Sequence, residues 1–289
     1  MLAGMSVSAG TDTGAGWAAR LDLQVLRHGD ASILGRRKHS GPLRIQRPFY
    51  PEGPSPLHLY LLHPPGGLVG GDRLDVRVDV EEGAAALITT PAAQKLYRSA
   101  GAESVQRTEL NVKTGATLEW FPSETLAFDG ALARSSTRVQ LASGATYIGW
   151  ELGCWGRPAS GQRFTRGAVQ QQLEIYRDHC PLIVERVRVS GGSSALTDPW
   201  GYAGHPAFGA LYCVPAAAGS SLALVDKVRS QVGTPELSAF GVSAMDDLLV
   251  ARASADNIEQ IRRVLVQVWQ ALRPEISGRA AELPRIWAT

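Results

Sequence analysis

The spacing of apolar residues constrains this chain most. From about Leu21 to Val189 apolar and polar side chains alternate, most cleanly in Leu74-Asp75-Val76-Arg77-Val78-Asp79-Val80-Glu81. Successive side chains of a strand point to opposite faces, so this segment buries one face and wets the other. Leu21, Leu23 and Val25 share a face in the same way, as do Leu57, Leu59 and Leu61. The strands end on a recurring turn: Glu81-Glu82-Gly83-Ala84, Lys113-Thr114-Gly115-Ala116, Ala142-Ser143-Gly144-Ala145. A glycine at a fixed place after polar residues suits a hairpin that needs positive φ. The glycines lie thirty-two and twenty-nine residues apart. A repeat of that length predicts strands stacked so that each unit covers its neighbour's apolar face, with an ordinary β-sandwich as the competing architecture.

The texture changes at residues 190–206, where Ser190-Gly191-Gly192-Ser193-Ser194 and Asp198-Pro199-Trp200-Gly201 carry no period. So long a stretch without periodicity reads as a mobile or functional loop. Strands are expected around Leu222 to Val225 and Leu248 to Ala251. Ser254 then caps a helix running to about Leu272, with Ile258, Ile261, Leu265, Val268 and Leu272 on one stripe and Arg262, Arg263, Gln267 and Gln270 opposite. Pro274 is expected to stop it. The fold class is therefore mainly β, a stacked or superhelical sheet arrangement with a few helices, one of them amphipathic and C-terminal.

Composition narrows the function classes. With 44% hydrophobic residues the chain is not disordered, and at 289 residues it needs neither disulfides nor a structural metal to hold a core. Net charge is +2, which gives no strong attraction for nucleic acid. Cys154, Cys180 and Cys213 are odd in number and far apart, which fits a reducing, cytoplasmic setting. No run of eighteen apolar residues occurs to span a bilayer. Residues 1–16 have no basic segment followed by an apolar one and read as a loose tail.

No enzyme motif survives inspection. Gly66-Gly67-Leu68-Val69-Gly70-Gly71-Asp72 lacks the Gly-Lys-Ser/Thr that ends a phosphate loop and precedes a strand, not a helix. His58 and His63 are five apart in an extended segment and point to opposite faces. The acids say more. Glu185 shares its strand face with Ile183, Val187 and Val189, where an ionised carboxylate must be paired or wetted. Either a buried ion pair or a water-filled passage lined by oxygen ligands would satisfy it. Glu151 lies opposite Ile148, Trp150 and Leu152 and shares its side with Gly149 and Gly153, small enough to leave room for water or an ion. Thr89 and Thr90 add hydroxyls at a strand end. Such hard oxygen donors hold a transition ion loosely, which suits transit over storage.

Five blocks carry a family resemblance: Gly41-Pro42-Leu43-Arg44-Ile45-Gln46-Arg47-Pro48-Phe49-Tyr50-Pro51-Glu52-Gly53, Leu62-His63-Pro64-Pro65-Gly66-Gly67-Leu68-Val69-Gly70-Gly71-Asp72, Thr89-Thr90-Pro91-Ala92-Ala93-Gln94-Lys95-Leu96-Tyr97-Arg98-Ser99, Gly156-Arg157-Pro158-Ala159-Ser160-Gly161, and Pro284-Arg285-Ile286-Trp287-Ala288-Thr289. In this order, over roughly Trp17 to Thr289, the chain resembles the urease accessory protein UreD (UreH) family. The resemblance implies a non-enzymatic chaperone that binds apo-urease and UreF, recruits the GTPase UreG through UreF, and assists nickel delivery to the urease active site. It also implies a mostly β fold and an internal channel, with Glu151, Glu185, Thr89 and Thr90 as residues of transient nickel passage. No tightly bound cofactor is implied, only nickel in transit. Ala92, Leu96 and Gln162 depart from the residues common in the family; the last weakens any claim that an acid is needed there. The N-terminal tail is outside the match.

The expected organisation is a tail over residues 1–16 and a single domain over 17–289: a β body to about 190, the loop 190–206, and a β/α lobe with its tail over 207–289. The rival functions are a β-helical hydrolase using two carboxylates and a nickel-storage protein. The loop after Ser190 and the C-terminal helix are expected to face UreF.

Overall fold

The structure, a computed structural model, describes residues 16–288 apart from 218 and 220. The expected N-terminal tail, except Gly16, lies outside the described residues. The alternating segments form two facing sheets. In the first sheet the order is Cys180–Ser190, Ala168–Arg177, Leu132–Leu141, Ser104–Val112, Arg73–Val80, Ala18–His28, Ala31–Ser40. Its five inner strands run parallel, and each outermost strand is antiparallel to its neighbour.

In the second sheet Leu57–Leu62, Ala85–Thr89, Thr117–Phe121 and Thr146–Trp155 lie parallel in sequence order. Three antiparallel strands extend it: Ala207–Val214, Leu248–Ala255 and Ala239–Met245. A short parallel ladder of Gly67–Leu68, Gln94–Leu96 and Thr125–Ala127 joins the end of Thr146–Trp155 and forms a narrow third side. The chain thus winds in stacked coils, passing from one sheet to the other and back. The fold is mainly β, as the period of the sequence predicts.

The repeated Gly-Ala turns are the corners of these coils. They are not hairpins, because each passes the chain from the first sheet to the second. Gly83, Gly115 and Gly144 adopt φ of 65°, 66° and 72°. The alanine after each is fully buried. The Thr117 N–H donates to the Ala84 carbonyl and the Thr146 N–H to the Ala116 carbonyl, both at 2.9 Å, so each corner rests on the one before. A larger side chain than Ala would separate the coils.

The inner faces of the two sheets bury one core, with Leu21, Leu23, Val78, Leu110, Leu118 and Val139 fully enclosed. The outer face of the second sheet buries another under two helices, α1 (Ser221–Val232) and α2 (Ile258–Ser277). The α1 segment corrects the expectation of a strand at Leu222 to Val225. Leu224, Val225 and Val228 are buried at helical spacing, and a short apolar run alone does not separate the two periods.

Helix α2 carries the expected stripe, with Ile261, Leu265, Val268 and Leu272 fully buried. Its ends differ from expectation. Asn257 caps it, accepting from the Glu259 N–H at 2.9 Å, while Ser254 belongs to the preceding strand. Pro274 sits inside the last turn, where the helix loses one backbone bond yet continues to Gly278, whose N–H donates to the Pro274 carbonyl at φ 66°.

Residues 190–206 are turns tied to themselves and to the body. The Tyr202 N–H reaches the Ala195 carbonyl at 2.8 Å, and the Tyr202 ring packs on Trp155 and Phe208. Trp200 stands 73% exposed.

Candidate functional site: a row of cavities between the sheets

Glu151 is carried on Thr146–Trp155, where alternation sends Ile148, Trp150 and Leu152 to the helix side and Glu151 to the space between the sheets. The Thr137 hydroxyl, from the first sheet, lies near enough to its carboxylate to favour the charged form. Burial outweighs that effect and pushes the Glu151 carboxyl up to about 7. The acid also raises the phenols around it. Burial pushes Tyr202 up to about 12 against the lowering effect of Trp155, and the nearby Glu151 charge adds to the rise. Burial and that charge move Tyr147 and Tyr212 the same way.

The room beside Glu151 does not come from its glycines. A Cβ on Gly149 would lie 2.3 Å from the Tyr147 hydroxyl, and one on Gly153 would lie 2.4 Å from the Phe208 ring. Aromatic groups have taken that space. The room lies further inward. A cavity of about 160 Å³ extends from Leu43 and His63 past Thr90 to Glu151 and Tyr212. A second, of about 470 Å³, extends from Glu151 and Tyr212 to Glu185, Phe240 and Arg252. Both include Glu151, Gln171, Leu173 and Tyr212 in their walls.

Glu185 sits in the wall of the second cavity, half-buried. Its carboxylate pairs with Arg252 and accepts a 2.6 Å hydrogen bond from the Tyr212 hydroxyl. Both partners belong to the second sheet, so the acid bridges the two layers. The pair is wet: the Arg252 side chain is 49% exposed and that of Glu185 27%. The ion pair and the wetted cavity that the sequence offers as alternatives are both present.

The two threonines separate. Thr90 lines the first cavity and fixes the loop above it, accepting from the Ser123 N–H at 2.8 Å. Thr89 faces the helix side, fully buried. Its hydroxyl donates to the Phe121 carbonyl at 2.5 Å and accepts from the Trp287 indole at 2.9 Å. It is occupied by structure and outside the cavity walls, so the structure brings together Glu151, Glu185 and Thr90 but not Thr89.

Sequence reasoning missed Thr137, Tyr212 and Arg252, which orient the two acids; polar residues on apolar-patterned strands were the available signal. It also missed an ion cluster under α2. Arg273 donates to both oxygens of Glu119 and of Glu52, at 2.7 to 3.1 Å, and Glu52 bonds His58 at 2.8 Å. Burial pushes the Glu119 carboxyl up against the pull of Arg273. His58 therefore serves the helix layer while His63 faces the cavities, on opposite faces as their spacing requires.

Among the described residues no three His, Cys, Asp or Glu side chains gather closely enough to hold a metal ion. Among the described residues no helix is long and apolar enough to cross a membrane.

Comparison with known proteins decides the family. The family model described as UreD urease accessory protein matches residues 18–288. The chain belongs to the UreD urease accessory protein family. The urease accessory protein UreD of Alkalilimnicola ehrlichii is 42% identical over 95% of this chain and 92% of its own length. Those of Dechloromonas aromatica and Klebsiella aerogenes are each also 42% identical, over 94% and 95% of this chain and 95% and 97% of their own. Membership in the UreD family gives the chain a role in urease maturation, and its relatives are named as accessory proteins, not enzymes.

Proposed function

We propose that this UreD protein acts in the cytoplasm as a non-catalytic chaperone that binds apo-urease and UreF, reaches the GTPase UreG through UreF, and passes nickel through the cavities between its sheets. The observation that carries the passage is the position of Glu151 in the walls of both cavities, beside Tyr212. A cation moving between the cavities would pass this carboxylate, then Glu185, with Thr90 toward the other end. Sparse oxygen ligands, with water completing the shell, bind a divalent transition ion loosely and release it. Thr89 enters only by holding the strand end that precedes Thr90. The protein keeps no tightly bound cofactor; nickel is cargo.

Residues 17–289 work as one domain in this reading, since α1 and α2 pack on the same sheet that closes the coils. The exposed Trp200 and the turns of residues 190–206 supply the UreF-facing surface together with α2. Deleting residues 190–206 should abolish UreF pull-down; unchanged pull-down would refute that surface. The passage is tested by co-purifying the chain with UreF, UreG and apo-urease and measuring the nickel content of the recovered urease. Glu151→Gln and Glu185→Ala should leave the complexes intact and the urease nickel-poor. Lost complexes would make these acids structural.

A further inference from the structure

Oxygen ligands alone leave a chemical problem. Carboxylates, hydroxyls and carbonyls suit magnesium and calcium, so a passage lined only by them does not select a late transition ion. Imidazole does, because affinity for nitrogen donors rises steeply toward nickel and copper. Among the described residues, the walls of these cavities hold no cysteine or methionine and one histidine, His63. It follows Leu57–Leu62 at the turn into Pro64-Pro65.

His63 also has a position to match. A third cavity, of about 190 Å³, opens beside Trp17, Val69 and Tyr97 and shares His63 and Leu74 with the first. His63 thus stands between the third and first cavities as Glu151 stands between the first and second. Its Nδ1 is buried and has no hydrogen-bond partner among the described residues. Asp72, whose charge it feels, is already committed: its two oxygens accept the N–H groups of Trp17 and Val69 at 2.8 and 2.9 Å. Burial holds the His63 imidazole below its ordinary pKa, so it is neutral and free to ligate at neutral pH. An orphaned ring nitrogen in a cavity wall requires an occupant, water or an ion.

We propose that His63 is a specificity-determining ligand at the end of the row remote from Glu185, where its ring nitrogen admits a late transition-metal dication and discriminates against calcium and magnesium. This rests on the passage reading above. Glu151 and Glu185 carry the ion onward without choosing it. His63 makes the choice.

Two measurements test it on the full chain. The first uses chain labelled with 15N in its histidines and assembled with UreF. Substoichiometric nickel, with calcium in large excess, should broaden one imidazole signal first, the one absent in His63→Gln. The second measures nickel in urease matured with wild type, His63→Gln or Glu151→Gln, with and without excess calcium. His63→Gln should load urease less fully than wild type without calcium and lose about a further tenfold with it, while wild type tolerates calcium, as expected for loss of a nitrogen donor. A His63 signal untouched by nickel, or calcium tolerance kept in His63→Gln while Glu151→Gln loads poorly, overturns the role of His63 and leaves the passage standing. Normal loading by Glu151→Gln refutes the passage and the selectivity with it. If His63→Gln does not fold, His63→Asn supplies the assignment, and a nickel-broadened signal that persists in it overturns the role of His63.

Discussion

The Tyr212 hydroxyl, on the second sheet, donates a 2.6 Å hydrogen bond to the Glu185 carboxylate on the last strand of the first. That bond crosses the gap where the layers have opened into the larger cavity. Tyr212→Phe keeps the ring and deletes the bond, so it should cost about 1.5–3 kcal/mol, the worth of a hydrogen bond to a charged group. A double-mutant cycle with Glu185→Gln in urea denaturation should show coupling; additive losses would mean the bond contributes nothing to holding the sheets.

Glu151 gives a pH signature. Its carboxyl is pushed up to about 7 in the folded chain, whereas the unfolded chain has the ordinary carboxylate value. Between those values the folded state holds the extra proton, so stability falls as pH rises through that window. Glu151→Gln removes the buried charge. Above pH 7 the variant should be more stable than wild type by about 1–3 kcal/mol, a figure held down by cavity water, and near pH 4 the two should coincide. Thermal unfolding at both pH values checks the sign.

Arg273 is 1% exposed and faces two acids, Glu119 and Glu52. Arg273→Ala strands both charges and should destabilise by about 3–5 kcal/mol. Adding Glu119→Gln to the variant should recover part of the loss. Trp269, whose indole donates to Glu119 at 2.7 Å, reports the change by fluorescence during denaturation.

The corner glycines isolate backbone strain from packing. A Cβ on Gly115 meets nothing within 4 Å, yet φ is 66°. Gly115→Ala should therefore cost about 1–2 kcal/mol through the left-handed conformation alone. At Gly241 the Cβ is equally unobstructed and no left-handed φ is required, so Gly241→Ala should be neutral or slightly stabilising. Equal losses at the two positions would contradict the corner argument.

Local periods made the coils legible, because each coil repeats the same pattern of strand, two-residue turn, Gly and Ala. Whether the Gly-Ala turn doubles back or crosses to another sheet was not legible: both need positive φ, and the choice is made by the stacking of Ala84, Ala116 and Ala145. Helix α1 was misread because four apolar residues in a row fit either period. Glu185 was visible as an acid on an apolar face, and Glu119 in Leu118-Glu119-Trp120 carried the same mark. Their partners were not, since Arg252 and Arg273 lie 67 and 154 residues away and no local spacing brings them near. Glu151 was placed on the correct side for a partly mistaken reason, since Tyr147 and Phe208 fill the volume its neighbouring glycines vacate.

The Arg273 cluster also sets a timetable for synthesis. Glu52 and Glu119 wait for a guanidinium encoded 221 and 154 residues later. Until the ribosome has released nearly the whole chain, Phe121 and Trp150 lie bare beside an uncompensated carboxylate. Between the synthesis of Trp150 and that of Arg273 the nascent protein thus carries a greasy, negatively charged flank that only a later segment can cover.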